Sequence, residues 1–300
     1  METLFVIIGP TGVGKTDISL NLAKRLGCAI FSCDSRQMFR ELKIGTAAPT
    51  VEQLQEVTHF FIGNKSIFDT YSAGQYELDA IPLIESELKR SSQTLLVGGS
   101  MLYIDAICKG IDDIPTIDSH VRQSVLDFYA QEGLEGVRRK LKLLDPTHYA
   151  EVDLLNVKRL LHALEVCEMT GRPFSELRTN HIKKRSFNII KIGLTRPREE
   201  LYDRINARVL QMMAQGLESE AFQFYEQRNL NALNTVGYKE LFNYFDGIWT
   251  KEFAVNMIQQ NSRRYAKKQL TWFNRDETIT WFHPSQENDI VAFVESKIAP

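Results

Sequence analysis

The octapeptide Gly9-Pro10-Thr11-Gly12-Val13-Gly14-Lys15-Thr16 constrains this chain more than any other stretch. Five apolar residues, Leu4 to Ile8, run directly into it and an amphipathic segment follows, so the local order is strand, loop, helix. The pattern G-x-x-x-x-G-K-[ST] in that context is a phosphate-binding loop. Glycines let successive backbone N–H groups turn inward, and the helix N-terminus behind them carries partial positive charge. Lys15 adds a full charge and Thr16 offers a hydroxyl to Mg2+. By composition such a string arises by chance in roughly 1% of chains this long, before its flanks are considered. It holds a di- or triphosphate, and the loop alone does not say which.

The 300 residues, 43% of them hydrophobic, can bury a sizeable core as one large domain or two smaller ones. No apolar run approaches the ~20 residues that span a bilayer, and no basic segment precedes an apolar one at the N-terminus, so a cytoplasmic protein without a membrane partner is expected. Cys28, Cys33, Cys108 and Cys167 lack C-x-x-C spacing and read as core residues. The net charge of −2 argues on average against a nucleic-acid partner, yet charge is patchy. Arg178, Lys183, Lys184 and Arg185 form one acid-free basic run; Arg263, Arg264, Lys267, Lys268 and Arg275 form another. Each run alone is also compatible with a solvated face.

Residues 15–26 read as a helix closed by Gly27, and 29–33 as a second strand ending at Asp34-Ser35-Arg36-Gln37. The carboxyl ends of parallel strands are where α/β sheets carry their chemistry, which makes Asp34 a candidate base or ligand; a turn cap is the competing role. Strands are expected at 59–62 and 94–97, and a helix at 75–90 whose apolar positions are Leu78, Ile81, Ile84 and Leu88, with a kink or turn at Pro82. The strand at 94–97 ends in Gly98-Gly99-Ser100, where two glycines admit a ligand and Ser100 donates a hydroxyl. Three strand ends, those preceding Thr11, Asp34 and Ser100, thus point to one crevice. From about 116 to 185 helices dominate, at 119–129, 134–144 and 153–170, which marks a helical insertion. A strand resumes at 187–194, followed by a helix at 197–214 carrying Arg204 and Arg208 on one side, a helix opened by Gly237-Tyr238-Lys239, a long basic helix at 251–275, a strand at 278–283 and a closing helix at 287–298. The fold class is α/β: a P-loop NTPase-like parallel sheet flanked by helices, residues 1–115 and 186–300, with an all-helical insertion at 116–185.

These residues resemble one family closely, the tRNA dimethylallyltransferases or tRNA isopentenyltransferases, in their bacterial form. The matching pieces are GPTGVGKT from Gly9, DSRQMFRELKIGTAAP from Asp34, GGSMLY from Gly98, KRLLHALEVCEMTGRPFSE from Lys158, VGYKEL from Val236 and RRYAKKQLTWF from Arg263. They span nearly the whole chain. The family usually has Thr where Ser100 stands, which keeps the hydroxyl, and Arg where His162 stands, which weakens a tRNA phosphate contact. The zinc finger of eukaryotic members has no counterpart in these residues.

The resemblance implies that the bound diphosphate is that of dimethylallyl diphosphate and that the acceptor is N6 of adenosine 37, just 3′ of the anticodon in tRNA. Asp34 would accept the proton of that amine. The departing diphosphate would be met by the loop amides, Lys15 and Arg208, by Mg2+ held through Thr16 and Ser100, and by Thr11 on the bridging oxygen. Asp34, Ser35, Arg36 and Gln37 would hold the extruded base. Further tRNA contacts are expected from Ser100, Arg122, Lys158, Arg159, His162, Gly237, Tyr238, Lys239, Arg263, Lys267 and Lys268. The expected partners are the tRNA anticodon loop and the prenyl donor, and the expected state is a monomer. The competing reading is a P-loop kinase of a nucleoside or small metabolite, with Asp34 as base for a hydroxyl and Arg208 clamping a γ-phosphate.

Overall fold

The computed structural model describes residues 2–179 and 181–298. These form two compact units, one of Met1–Cys108 with Lys184–Pro300 and one of Lys109–Lys183. The first contains strands β1 (Thr3–Ile8), β2 (Ile30–Ser32), β3 (His59–Phe60) and β4 (Gln93–Gly98), interleaved with helices α1 (Lys15–Leu26), α2 (Val51–Glu56), α3 (Ala73–Ser91) and α4 (Met101–Cys108). The second holds α5 (Ser119–Leu144), α6 (Pro146–Glu151), α7 (Val157–Thr170) and α8 (Phe174–Leu177). The chain then returns to the first unit through β5 (Asn188–Leu194), α9 (Arg198–Ala214), α10 (Leu217–Gln223), α11 (Tyr238–Phe245), α12 (Lys251–Phe273), β6 (Ile279–Phe282) and α13 (Glu287–Ile298).

All six strands are parallel, in the order β3-β2-β4-β1-β5-β6. β1 lies inside the sheet, which its unbroken apolar run requires, because parallel strands between two helix layers are buried on both faces. Alternate residues serve the two layers. Leu4, Val6 and Ile8 join one core with Tyr76, Ala80 and Ile84 of α3, while Phe5 and Ile7 join another with Ile18 and Leu22 of α1. β2, which leads to Asp34, pairs with β4 and not with β1. Asp34 and the phosphate loop therefore flank the end of β4, which carries Ser100.

Other differences are local and have physical causes. β3 stops at Phe60 because Phe61 takes φ 64°, a left-handed conformation that breaks the ladder. α3 runs through Pro82, which sits on the exposed side, where water can serve the carbonyl freed by the missing N–H. Leu78 is 67% exposed and leaves the apolar face, which Tyr76, Ala80, Ile84 and Leu88 form instead. Two helices expected at 119–129 and 134–144 meet as α5 across a break at Gly133 (φ 66°, ψ −170°). α7 begins later than expected because Asn156 caps it. In the second unit Val125, Val137 and Leu141 of α5 pack on Leu160, Leu164 and Cys167 of α7. None of the described helices is long and apolar enough to cross a membrane.

Candidate active site

The phosphate loop is shaped by cations that hold its carbonyls outward. Lys15 Nζ donates to the carbonyls of Gly9 and Pro10, each at 2.9 Å. Arg204 Nε donates to Gly12 O at 3.0 Å, and Arg196 Nε to Val13 O at 2.8 Å. Of the amides in these peptide units, Pro10 has no N–H, Thr11 N–H bonds Gln269 and Val13 N–H bonds Pro10 O, so the anion site rests chiefly on the first N–H groups of α1, which have no partner within the helix. Gly14, at φ 108°, caps that helix in a conformation other residues adopt only under strain. Neither Arg196 nor Arg204 stands out in the sequence as part of this loop, since both lie more than 180 residues downstream.

A cavity of about 760 Å3 opens beside the loop, and Thr11, Asp34, Ser35, Arg36, Ser100 and Arg208 form its polar end. α9 supplies one wall. Ile205, Arg208, Val209 and Met212 follow the i, i+3, i+4, i+7 rule and so share one helix face, which lines the cavity. Leu217 and Ile258 extend the apolar part. Lys239, Arg264, Lys267 and Lys268, all exposed, give the cavity a cationic rim.

Asp34 has a divided role. Its Oδ1 accepts from the backbone N–H of Arg36 at 2.9 Å and of Gln37 at 3.3 Å, which is the turn cap considered from the sequence. Oδ2 takes no part in that turn and is the oxygen available to a proton. Burial strips water from Lys15 and, with the Arg208 charge, lowers its pKa to about 8, against the opposing pull of Asp34. Arg208 is likewise depressed, first by burial, while Asp34 favours its charge. Two desolvated cations near one carboxylate favour an anionic ligand.

Ser100 ties the end of β4 to the Asp34 turn. Its Oγ accepts from Ser35 N–H at 2.9 Å, donates to Ser35 Oγ at 3.2 Å and is hydrogen-bonded by Tyr265, whose pKa burial pushes up to about 12. That hydroxyl is thus held in place by protein groups of two other segments. Thr16 is exposed in the first turn of α1 and presents a hard oxygen that suits Mg2+, an ion that keeps several waters and phosphate oxygens as its other ligands. Among the described residues no group of three or more His, Cys, Asp or Glu could hold a metal.

Several expected contacts fall elsewhere. Tyr238 is fully buried and donates its hydroxyl to Glu220 at 2.6 Å, so it is structural. Glu220 also accepts from the backbone N–H of Lys43, Ile44 and Gly45, which fixes the loop carrying Gly45 and Thr46 at the cavity edge. Gln37 spends its side-chain amide on the carbonyls of Thr46 and Ala47 and lies outside the lining. Gly237 does line the cavity, with its N–H on Glu240. Arg263 turns to Asn206 and Tyr202 on α9, and it is Arg264 that lines the cavity. Arg185, from the other basic run, is ion-paired with buried Glu77 and donates to the carbonyls of Ala106 and Ile107. Arg122, Lys158, Arg159 and His162 belong to the helical unit. Lys158 and Arg159 are exposed there, whereas Arg122 and His162 converge on buried Glu165.

A family model described as IPP transferase matches residues 37–276. The chain belongs to the IPP transferase family. It is 57% identical over 295 residues to a tRNA dimethylallyltransferase 1 of Phocaeicola vulgatus, covering 98% of each chain. It is 55% identical over 297 residues to the protein of the same name from Bacteroides fragilis, covering 99% of each. The crystal structure of a full-length tRNA isopentenylpyrophosphate transferase from Bacillus halodurans superposes with a TM-score of 0.72 at 36% identity, over 99% of this chain and 97% of that one. A eukaryotic dimethylallyltransferase acting on tRNA shares the fold, with a TM-score of 0.80 at 20% identity, over all of this chain and 81% of that one. The sheet of this IPP transferase is therefore the one its relatives use.

Proposed function

We propose that this chain transfers the dimethylallyl group of dimethylallyl diphosphate to N6 of adenosine 37 in tRNA. The observation that carries the reading is the convergence, in one cavity, of Thr11 of the phosphate loop, Asp34, Arg208 and an apolar wall beneath a cationic rim. A kinase needs the first three; a prenyl group and an extruded base need the other two.

In this reading the donor diphosphate lies on the loop amides and its five-carbon group lies along Ile205, Val209 and Met212. The N6 lone pair attacks C1 of the prenyl group while the C1–O bond breaks, and Asp34 Oδ2 accepts the proton lost by the amine. The leaving diphosphate gains charge as it departs. Lys15, Arg208 and the loop amides oppose that charge, and the Thr11 hydroxyl donates to the bridging oxygen. Mg2+, held by Thr16 and the diphosphate itself, supplies further positive charge when bound. Enclosure keeps water from the allylic carbon. Arg36, Lys239, Arg264, Lys267 and Lys268 position the RNA backbone and the flipped nucleotide, and Lys158 and Arg159 of the helical unit give it further phosphate contacts.

The test is to incubate the protein with unmodified tRNA, dimethylallyl diphosphate labelled in the prenyl group, and Mg2+. Label in RNA at adenosine 37 supports the proposal. Label remaining in the donor, together with transfer of the terminal phosphate of ATP to a small acceptor, overturns it in favour of a kinase.

A further inference from the structure

Helix α12 reaches the phosphate loop through one side chain. Gln269 is 2% exposed, and its Oε1 accepts from the backbone N–H of Thr11 at 2.9 Å while its Nε2 donates to Gly99 O at 2.8 Å. A Cβ added to Gly99 would lie 2.3 Å from Gln269 Nε2, so glycine at 99 is what lets the amide sit between the two strand ends. Tyr265, one turn earlier on the same face, bonds Ser100, and Trp272, one turn later, donates to Asp105 Oδ2 at 3.1 Å. Three successive turns of α12 are thus fastened to the segment that follows β4, and the middle one also holds the loop.

We propose that Gln269 is a positioning residue for prenyl transfer, acting through Thr11. The inference rests on the transfer reading above. The bond from Gln269 removes the Thr11 N–H from the set of loop amides that face the diphosphate and fixes the orientation of residue 11. The Thr11 hydroxyl is thereby aimed into the cavity instead of rotating with its peptide. Side chains that could replace Gln269 fail on chemistry. A Lys offers no acceptor, a Met offers neither partner, and an ionised Glu turns an oxygen toward the Gly99 carbonyl. The neutral amide, with one acceptor and one donor on a planar group, satisfies both buried partners.

The test compares wild type with Gln269→Met, Gln269→Glu, Thr11→Ala and the double variant Thr11→Ala with Gln269→Met, measuring kcat, KM for each substrate and a melting curve. In Gln269→Met, kcat should fall about 100-fold, the scale of an ångström of misplacement, with both KM values within about threefold. In the Thr11→Ala background the same change should cost less than about threefold more, because the group being aimed is already gone. Gln269→Glu keeps an acceptor for Thr11 and, when protonated, a donor for Gly99. Its activity divided by that of wild type should therefore fall as pH rises. If Gln269→Met fails to fold, this pH ratio carries the test.

A Gln269→Met kcat within about threefold of wild type, a full additional loss in the Thr11→Ala background, or a flat pH ratio overturns the inference. A wild-type chain that leaves no label in tRNA overturns the transfer reading, and this inference with it.

Discussion

At the scale of single residues, one carboxylate is asked to be both a turn cap and a base, and the two roles use different oxygens. Asn in place of Asp34 keeps the Oδ1 that accepts from Arg36 and Gln37, so the turn should survive. What it loses is the proton acceptor. Asp34→Asn is therefore expected to lower prenyl transfer ~10²–10⁴-fold, with an unchanged melting curve and tRNA affinity within a few-fold. Activity near wild type would return Asp34 to a purely structural role. Lys15 makes a second expectation measurable. Its pKa of about 8 reflects burial and the Arg208 charge, and a bound diphosphate would stabilise the ammonium and raise it. At pH 8 the free protein holds about half a proton there, so donor binding should take up about half a proton, rising toward one at higher pH. Calorimetry in buffers of different ionisation enthalpy reads this directly. Lys15→Ala should abolish the uptake, and buffer-independent heats in wild type would show that Lys15 does not meet the phosphate.

At the scale of elements, the carboxyl edge of the sheet works because distant pieces clamp it. The loop at Lys43–Gly45 has no regular structure, yet three of its consecutive N–H groups converge on the Glu220 carboxylate, which Tyr238 also binds. Removing that carboxylate strands the buried Tyr238 hydroxyl and three part-buried N–H groups, an unmade bond at a buried group costing about 1–3 kcal/mol. Glu220→Ala should therefore lower stability by about 3–5 kcal/mol in denaturant titration, as expected for breaking a buried charged cluster. Glu220→Gln should recover part of it, since one oxygen remains to accept. A change below about 1 kcal/mol would mean that the loop holds itself. This clamp also shows what the sequence could not reveal. The strands, α1 and the strand-end residues Thr11, Asp34 and Ser100 are local signals, readable from apolar runs and the glycines that interrupt them. Glu220, Gln269, Arg196 and Arg204 act across about 170 to 260 residues, and no spacing in one dimension marks them. Tyr238 misled for the same reason: next to Gly237 and Lys239, which do line the cavity, it points the opposite way into the core.

At the scale of the whole molecule, a chain of net charge −2 must bind a polyanion by concentrating its cations. In the basic run from Arg263, helical geometry sorts the residues. Arg264, Tyr265 and Lys268 share a face with Asn261 and line the cavity, while Arg263, about 100° around the helix, turns to α9. Lys267 and Lys268 are exposed at the cavity rim and make the cleanest test. Each RNA phosphate contact they supply should add roughly 0.7–0.9 to the slope of log affinity against log salt. Reversing both to Glu should weaken tRNA binding and flatten that slope by about 1.4–1.8, one contact being lost at each position. Binding of dimethylallyl diphosphate should change little, because the diphosphate contacts come from α1, its loop and Arg208. Equal loss of both ligands with a lowered melting temperature would indicate damage to α12, which holds Thr11 and Ser100 through Gln269 and Tyr265. An unchanged salt slope with a normal melt would remove these two lysines from the RNA surface and leave Lys239 and Arg264 as the rim cations to test next.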